Sequence, residues 1–96
     1  MHAVMRRYSG RGAVELMDVL ERSKAEVERL MRGIKGFGSY TLIRTADGGY
    51  SLSVFADEAG TAESVKVARD WVARNAAKTG VGAPTVTEGT TILHAT

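Results

Sequence analysis

The chain has 96 residues, a formal net charge of +2 from 13 basic and 11 acidic side chains, and no cysteine. Disulfides, thiolate zinc sites and iron–sulfur clusters are thereby excluded, and the near-balance of charge argues against a nucleic-acid-binding stripe. The longest apolar run is three residues, far from the roughly 20 that a membrane span needs, so neither a membrane nor a secretory segment is expected and the cytosol is the expected compartment.

One domain over residues 1–96 is expected, with roughly 5,350 Å² of surface when folded. Residues 2–8 read as a strand ending at Ser9-Gly10. Its alternation leaves two faces open to choice, His2, Val4, Arg6 and Tyr8 on one and Ala3, Met5 and Arg7 on the other. Residues 12–32 carry Ala13, Leu16, Met17, Leu20, Val27 and Met31 at helical spacing, interrupted at Lys24 and stopped by Gly33 and Gly36. A hairpin follows over 39–46 and 49–56, with Asp47-Gly48 as a two-residue loop. That register sets Ile43 opposite Leu52 and Thr41 opposite Val54 on one face. On the other it sets Tyr40 opposite Phe55, Leu42 opposite Ser53 and Arg44 opposite Ser51.

A second helix is expected over about 61–78, capped by Gly60 or Thr61, with Val65, Ala68, Val72 and Ala76 as its apolar line and Trp71 on its flank. Residues 85–95 form a last strand, with Gly89 marking a bulge or bend. The order strand–helix–strand–strand–helix–strand predicts an α+β, ferredoxin-like four-stranded antiparallel sheet of order 4-1-3-2 with the helices on one face. Tyr40, Leu42 and Phe55 are assigned to the other face. A chain this short has no third layer, so that face is expected to close a homodimer.

The sequence resembles the dimeric α+β barrel superfamily, in particular its antibiotic-biosynthesis-monooxygenase-like group. The carriers are Ala3-Val4-Met5-Arg6-Arg7-Tyr8, the run from Leu52 through Phe55 to Thr61, and Ala68, Trp71 and Val72 on the second helix. The resemblance implies a homodimer whose paired sheets make a barrel. Its members include cofactor-free oxygenases of aromatic compounds, isomerases and haem-degrading enzymes. The last combine a first-strand asparagine with a tryptophan and a histidine; the first strand here holds no asparagine.

Two constellations carry chemistry. At one sheet edge His2, Asp57, Glu58 and His94 gather, a donor set known for divalent metals. A fraying terminus and a helix start explain the first three without a metal, so no metal or other cofactor is assigned and His94 is kept as the candidate proton-transfer group. At the opposite edge Arg6 or Arg7, Tyr8 and Arg44 approach across Ser51, a cluster suited to a carboxylate or enolate oxygen. Tyr40, Leu42 and Phe55 with Ser51 and Ser53 make an apolar wall with two hydroxyls, fit either for a small organic ligand or for a dimer interface, the latter favoured by size. The ligand-binding candidates are therefore Arg6, Tyr8, Tyr40, Arg44, Ser53 and Phe55. Nucleic acid is not an expected partner, because Leu52 stands where an RNA-recognition strand needs a stacking aromatic. The expected activity is oxygenase or isomerase chemistry on an enolisable or aromatic compound, with a non-catalytic ligand-binding or stress-associated dimer as the alternative.

Overall fold

A computed structural model describes all 96 residues. Strand β1 is His2–Ser9, β2 is Phe37–Thr45, β3 is Gly48–Phe55 and β4 is Thr85–Thr90. The helices are α1 (Ala13–Arg22), α2 (Lys24–Arg32) and α3 (Glu58–Asn75), followed by a short 3-10 turn, Ala77–Thr79. The sheet is antiparallel in the order β2-β3-β1-β4, which is the expected 4-1-3-2 read from its other edge. No helix is long and apolar enough to cross a membrane.

The single helix expected over 12–32 is two. The break falls at Ser23, beside the interruption at Lys24, where the Ser23 N–H is shared between the Val19 and Leu20 carbonyls at 3.1 and 3.2 Å. Such a bifurcated bond ends one helix and lets the next start at a new angle. Ala13, Leu16, Met17 and Leu20 on α1 and Val27 and Met31 on α2 then point into one core.

The hairpin is offset by two residues from the expected register. Thr45 pairs with Gly48, so Ala46-Asp47 is the loop, and Leu42 lies opposite Ser51 and Tyr40 opposite Ser53. Neither loop residue has a positive φ, and the unusual conformation is taken by Gly48 at φ 152°. A β-carbon at Gly48 would lie 2.3 Å from the Tyr8 carbonyl oxygen. That steric limit explains why the glycine belongs inside the strand and not at the turn. A slip of two residues preserves the side-chain alternation, so each residue keeps its face partners.

Helix α3 begins three residues earlier than expected. Its cap is Asp57, whose Oδ1 accepts from the Gly60 N–H at 3.1 Å. Its buried line is Gly60, Thr61, Ser64, Ala68 and Trp71, whereas Val65 and Val72 are half-buried. Polar Thr61 and Ser64 tolerate burial because their hydroxyls donate to the helix's own carbonyls, Glu58 at 3.0 Å and Thr61 at 2.7 Å. Gly60 is needed for approach, since a β-carbon there would meet the Phe55 ring at 2.7–2.9 Å. Strand β4 is shorter than expected, and Gly89 pairs regularly with Ala3 without a bulge.

The two sheet faces are the reverse of the assignment made from sequence. Tyr8, Tyr40 and Leu42 pack in or against the helix-facing core, and Phe55 lies beneath Gly60 of α3 with no exposed surface. The open choice in β1 falls the same way, with His2, Val4, Arg6 and Tyr8 buried toward the helices. By alternation Ala3, Met5, Ile43, Leu52 and Val54 occupy the outer face, where Val54 is buried and the others are half-buried or exposed. The total surface of 5,920 Å² exceeds the roughly 5,350 Å² expected from mass, as a partly exposed outer face and the exposed β4 would make it.

Candidate functional site

The site follows from a single position of β1. Arg6 lies on the helix-facing side and is only 3% exposed. No carboxylate lies within ion-pair distance of it. Its Nη2 donates to the Tyr40 hydroxyl at 3.3 Å, and its Nε has no partner. A guanidinium does not escape this situation by losing its proton. Burying such a charge unpaired costs several kcal/mol, about as much as a small domain has in reserve.

Around Arg6 lies a polar stripe on the floor of the sheet. Ser51 is its β3 neighbour, and Ser53 is two residues further along β3. Both hydroxyls are buried and unpartnered. Tyr8 stands on the same face of β1, and burial pushes its phenol pKa upward, opposed by the charge and hydrogen bond of Arg6 and reinforced by nearby Tyr40. Tyr8 is therefore a neutral hydroxyl donor at physiological pH, beside a fixed positive charge.

The roof is apolar. Leu20, Val27, Met31, Val67, Ala68 and Trp71 close over Arg6, Tyr8, Tyr40 and Ser51, leaving a cavity of about 20 Å³. That is room for one water and not for an organic molecule. Trp71, 4% exposed, donates its indole N–H to Glu26 Oε2 at 2.7 Å, tying α3 to α2 across the roof. The flank position expected for Trp71 is thus a wall of the cavity. Its spacing of three from Ala68 and seven from Ser64 puts Trp71 on the buried line of α3, which begins with hydroxyl residues.

The structure brings Arg6, Tyr8 and Tyr40 together at the cavity, with Ser53 on the adjoining stretch of the same sheet face. Phe55 lies further along, edge-on to Phe37 at 5.8 Å, with Arg32 over the Phe37 ring at 5.3 Å. Arg44 is not brought in. Its guanidinium pairs on the surface with Glu21 at 2.7 Å and Asp18 at 3.1 Å, and the Glu21 hydrogen bond leads in raising its pKa. Arg7 points away too, to Asp47 at 3.3 Å. His94 lies beyond β4, outside the cavity lining. Of the four residues expected at the other edge, His2 and Glu58 do meet, joined by Glu88 and not by His94; Asp57 is engaged as the helix cap.

With that geometry in place, three solved structures are informative. A protein of unknown function from Nitrosomonas europaea superposes with a TM-score of 0.71 at 19% identity, over 99% of this chain and 91% of that one. A monooxygenase of Streptomyces coelicolor, solved in complex with nanaomycin D, gives 0.66 at 16% identity, over 99% and 89%. A cofactor-independent oxygenase from Streptomyces nogalater gives 0.51 at 17% identity, over 97% and 92%. The chain shares its fold with these three structures. Neither a family model nor a curated protein matches the sequence.

Proposed function

We propose that the chain is a small-molecule enzyme of the cofactor-independent oxygenase type, acting on an acidic hydroxyaromatic or enolisable compound. The observation that carries the reading is Arg6, a buried cation whose Nε and flanking Ser51 and Ser53 hydroxyls have no partner in the protein. A substrate oxyanion would complete that set. Its charge would be held by Arg6 and by the Tyr40 and Tyr8 hydroxyls, and its ring by Trp71 and Met31. Stabilising the anion favours loss of the substrate proton, and an electron-rich carbanion or phenolate is the species that reacts with oxygen directly. The Streptomyces coelicolor monooxygenase of the same fold was solved with an organic ligand, nanaomycin D. Entry requires the roof to move, and flexible Met17, Leu30 and Met31 supply side chains that can swing.

In the same reading two chains pair through the outer face formed by Ala3, Met5, Ile43, Leu52 and Val54. What supports this is the partly exposed apolar surface of Ala3, Met5, Ile43 and Leu52.

A second reading has one observation in its favour. A cavity of about 20 Å³ suits a module that binds a ligand only on opening, or none. One experiment separates the two. A reduced hydroxynaphthoquinone or hydroxyanthrone is titrated into the protein in chelated buffer, following the fluorescence of Trp71, the one tryptophan of the chain, and oxygen uptake. Quenching with oxygen consumption, both weakened at least about tenfold by Arg6→Met, is the expected result. Quenching without uptake supports the binding module, and no response by either measure removes both readings for this class of compound.

A further inference from the structure

A second cluster lies at the far end of β1. His2 is 9% exposed, and its Nε2 is buried without a hydrogen-bond partner. It faces two carboxylates from different elements: Glu88 of β4, at 3.8 Å, and Glu58 in the first turn of α3. One donor atom from each of the three lies within 4.8 Å of the other two.

The separation of 3.8 Å is too long for a hydrogen bond. The arrangement also places two carboxylates close together, which is unfavourable unless a positive charge sits between them. The α3 N-terminus supplies part of one, and Asp57 already uses the Gly60 N–H there. A divalent cation would satisfy all three donors at once. Ligands at about 2.0–2.1 Å in tetrahedral geometry stand roughly 3.3–3.4 Å apart. Both glutamates are exposed, so their side chains can close the remaining distance, while the sheet holds His2 in place. One nitrogen and two carboxylate oxygens suit zinc better than calcium or magnesium, which favour all-oxygen shells.

We infer that His2, Glu58 and Glu88 form a three-ligand site for a zinc-class divalent cation, with a fourth position left to solvent. The site stands apart from the Arg6 cavity and shares no residue with its lining. Bound metal would clamp β1, β4 and the start of α3 together. That position points to a structural or regulatory ion and not to the oxygen chemistry proposed above.

The test is calorimetric titration of Zn²⁺ into the full chain after exhaustive dialysis against chelator, with Co²⁺ absorption spectra as a second readout. One Zn²⁺ per chain is expected, with a Co²⁺ spectrum of low coordination number. Glu88→Gln and Glu58→Gln, which keep size and fold, should each weaken binding at least about tenfold, and His94→Ala should leave it unchanged. Binding that survives both glutamine variants would place the ion elsewhere and overturn the site. No saturable heat, or a six-coordinate Co²⁺ spectrum unaffected by Glu88→Gln, would overturn the site and leave His2 and Glu88 as a long contact only.

Discussion

The two faces of this one sheet treat their polar groups differently. The face under the helices buries a charge and hydroxyls, with Arg6, Ser51 and Ser53 all at or below 3% exposure. The outer face carries Ala3, Met5, Ile43 and Leu52, half-buried or exposed, beside exposed Arg7 and Thr41. A protein optimised only for its own stability would place them the other way round. Polar groups are buried on one side at a cost, and apolar groups are left partly exposed on the other.

The sharpest way to break this comparison is to put the same charge on each face. Phe55→Asp should lose about 3–5 kcal/mol of protomer stability, since it removes a fully buried ring and inserts an unpaired carboxylate. Leu52→Asp on the outer face should cost the protomer far less and should instead abolish self-association. Urea unfolding and sedimentation equilibrium read the two effects separately. Equal losses of stability from both would mean that the faces do not differ as described.

A gentler change tests the buried cation. Arg6→Met removes the unpaired charge and keeps the volume, so it should raise stability by about 1–3 kcal/mol while weakening oxyanion binding. A loss of stability on that substitution would show that the Tyr8 and Tyr40 hydroxyls already compensate the guanidinium.

The smallest expected effect is in pH dependence. Burial raises the Tyr8 phenol above its ordinary 10.0. The folded state therefore keeps a proton that the unfolded chain releases. Stability is unaffected below about pH 10 and falls as pH rises from there toward the folded pKa. Tyr8→Phe should remove that part of the decline, seen as the difference between the two proteins in urea unfolding from pH 8 to 11. Identical curves would place Tyr8 in a solvated setting.

Much of the fold was legible in the sequence. Strand order, antiparallel pairing and one covered face followed from the succession of periodicities. That Arg6 or Arg7 approaches Tyr8 was legible from the strand itself, but which arginine turns toward the helices was not. The roof was not. Trp71 shares its line with Thr61 and Ser64, which read as surface until their hydroxyls are seen bonding to their own helix. Arg44 misled for a related reason. An arginine on the right face is drawn off by Asp18 and Glu21 on α1, a contact between elements that strand alternation cannot show.

Alternation along each strand determined which residues travel together, because the side-chain period of two is a local property of the backbone. It survived even a two-residue error in the hairpin register. Which set meets the helices was decided only in three dimensions. Both sets hold enough apolar surface to pack, so hydrophobicity did not distinguish them. The choice rests on how the loops deliver the helices to the sheet, on Gly60 letting α3 settle against Phe55, and on the polar residues that the covered face can still accommodate.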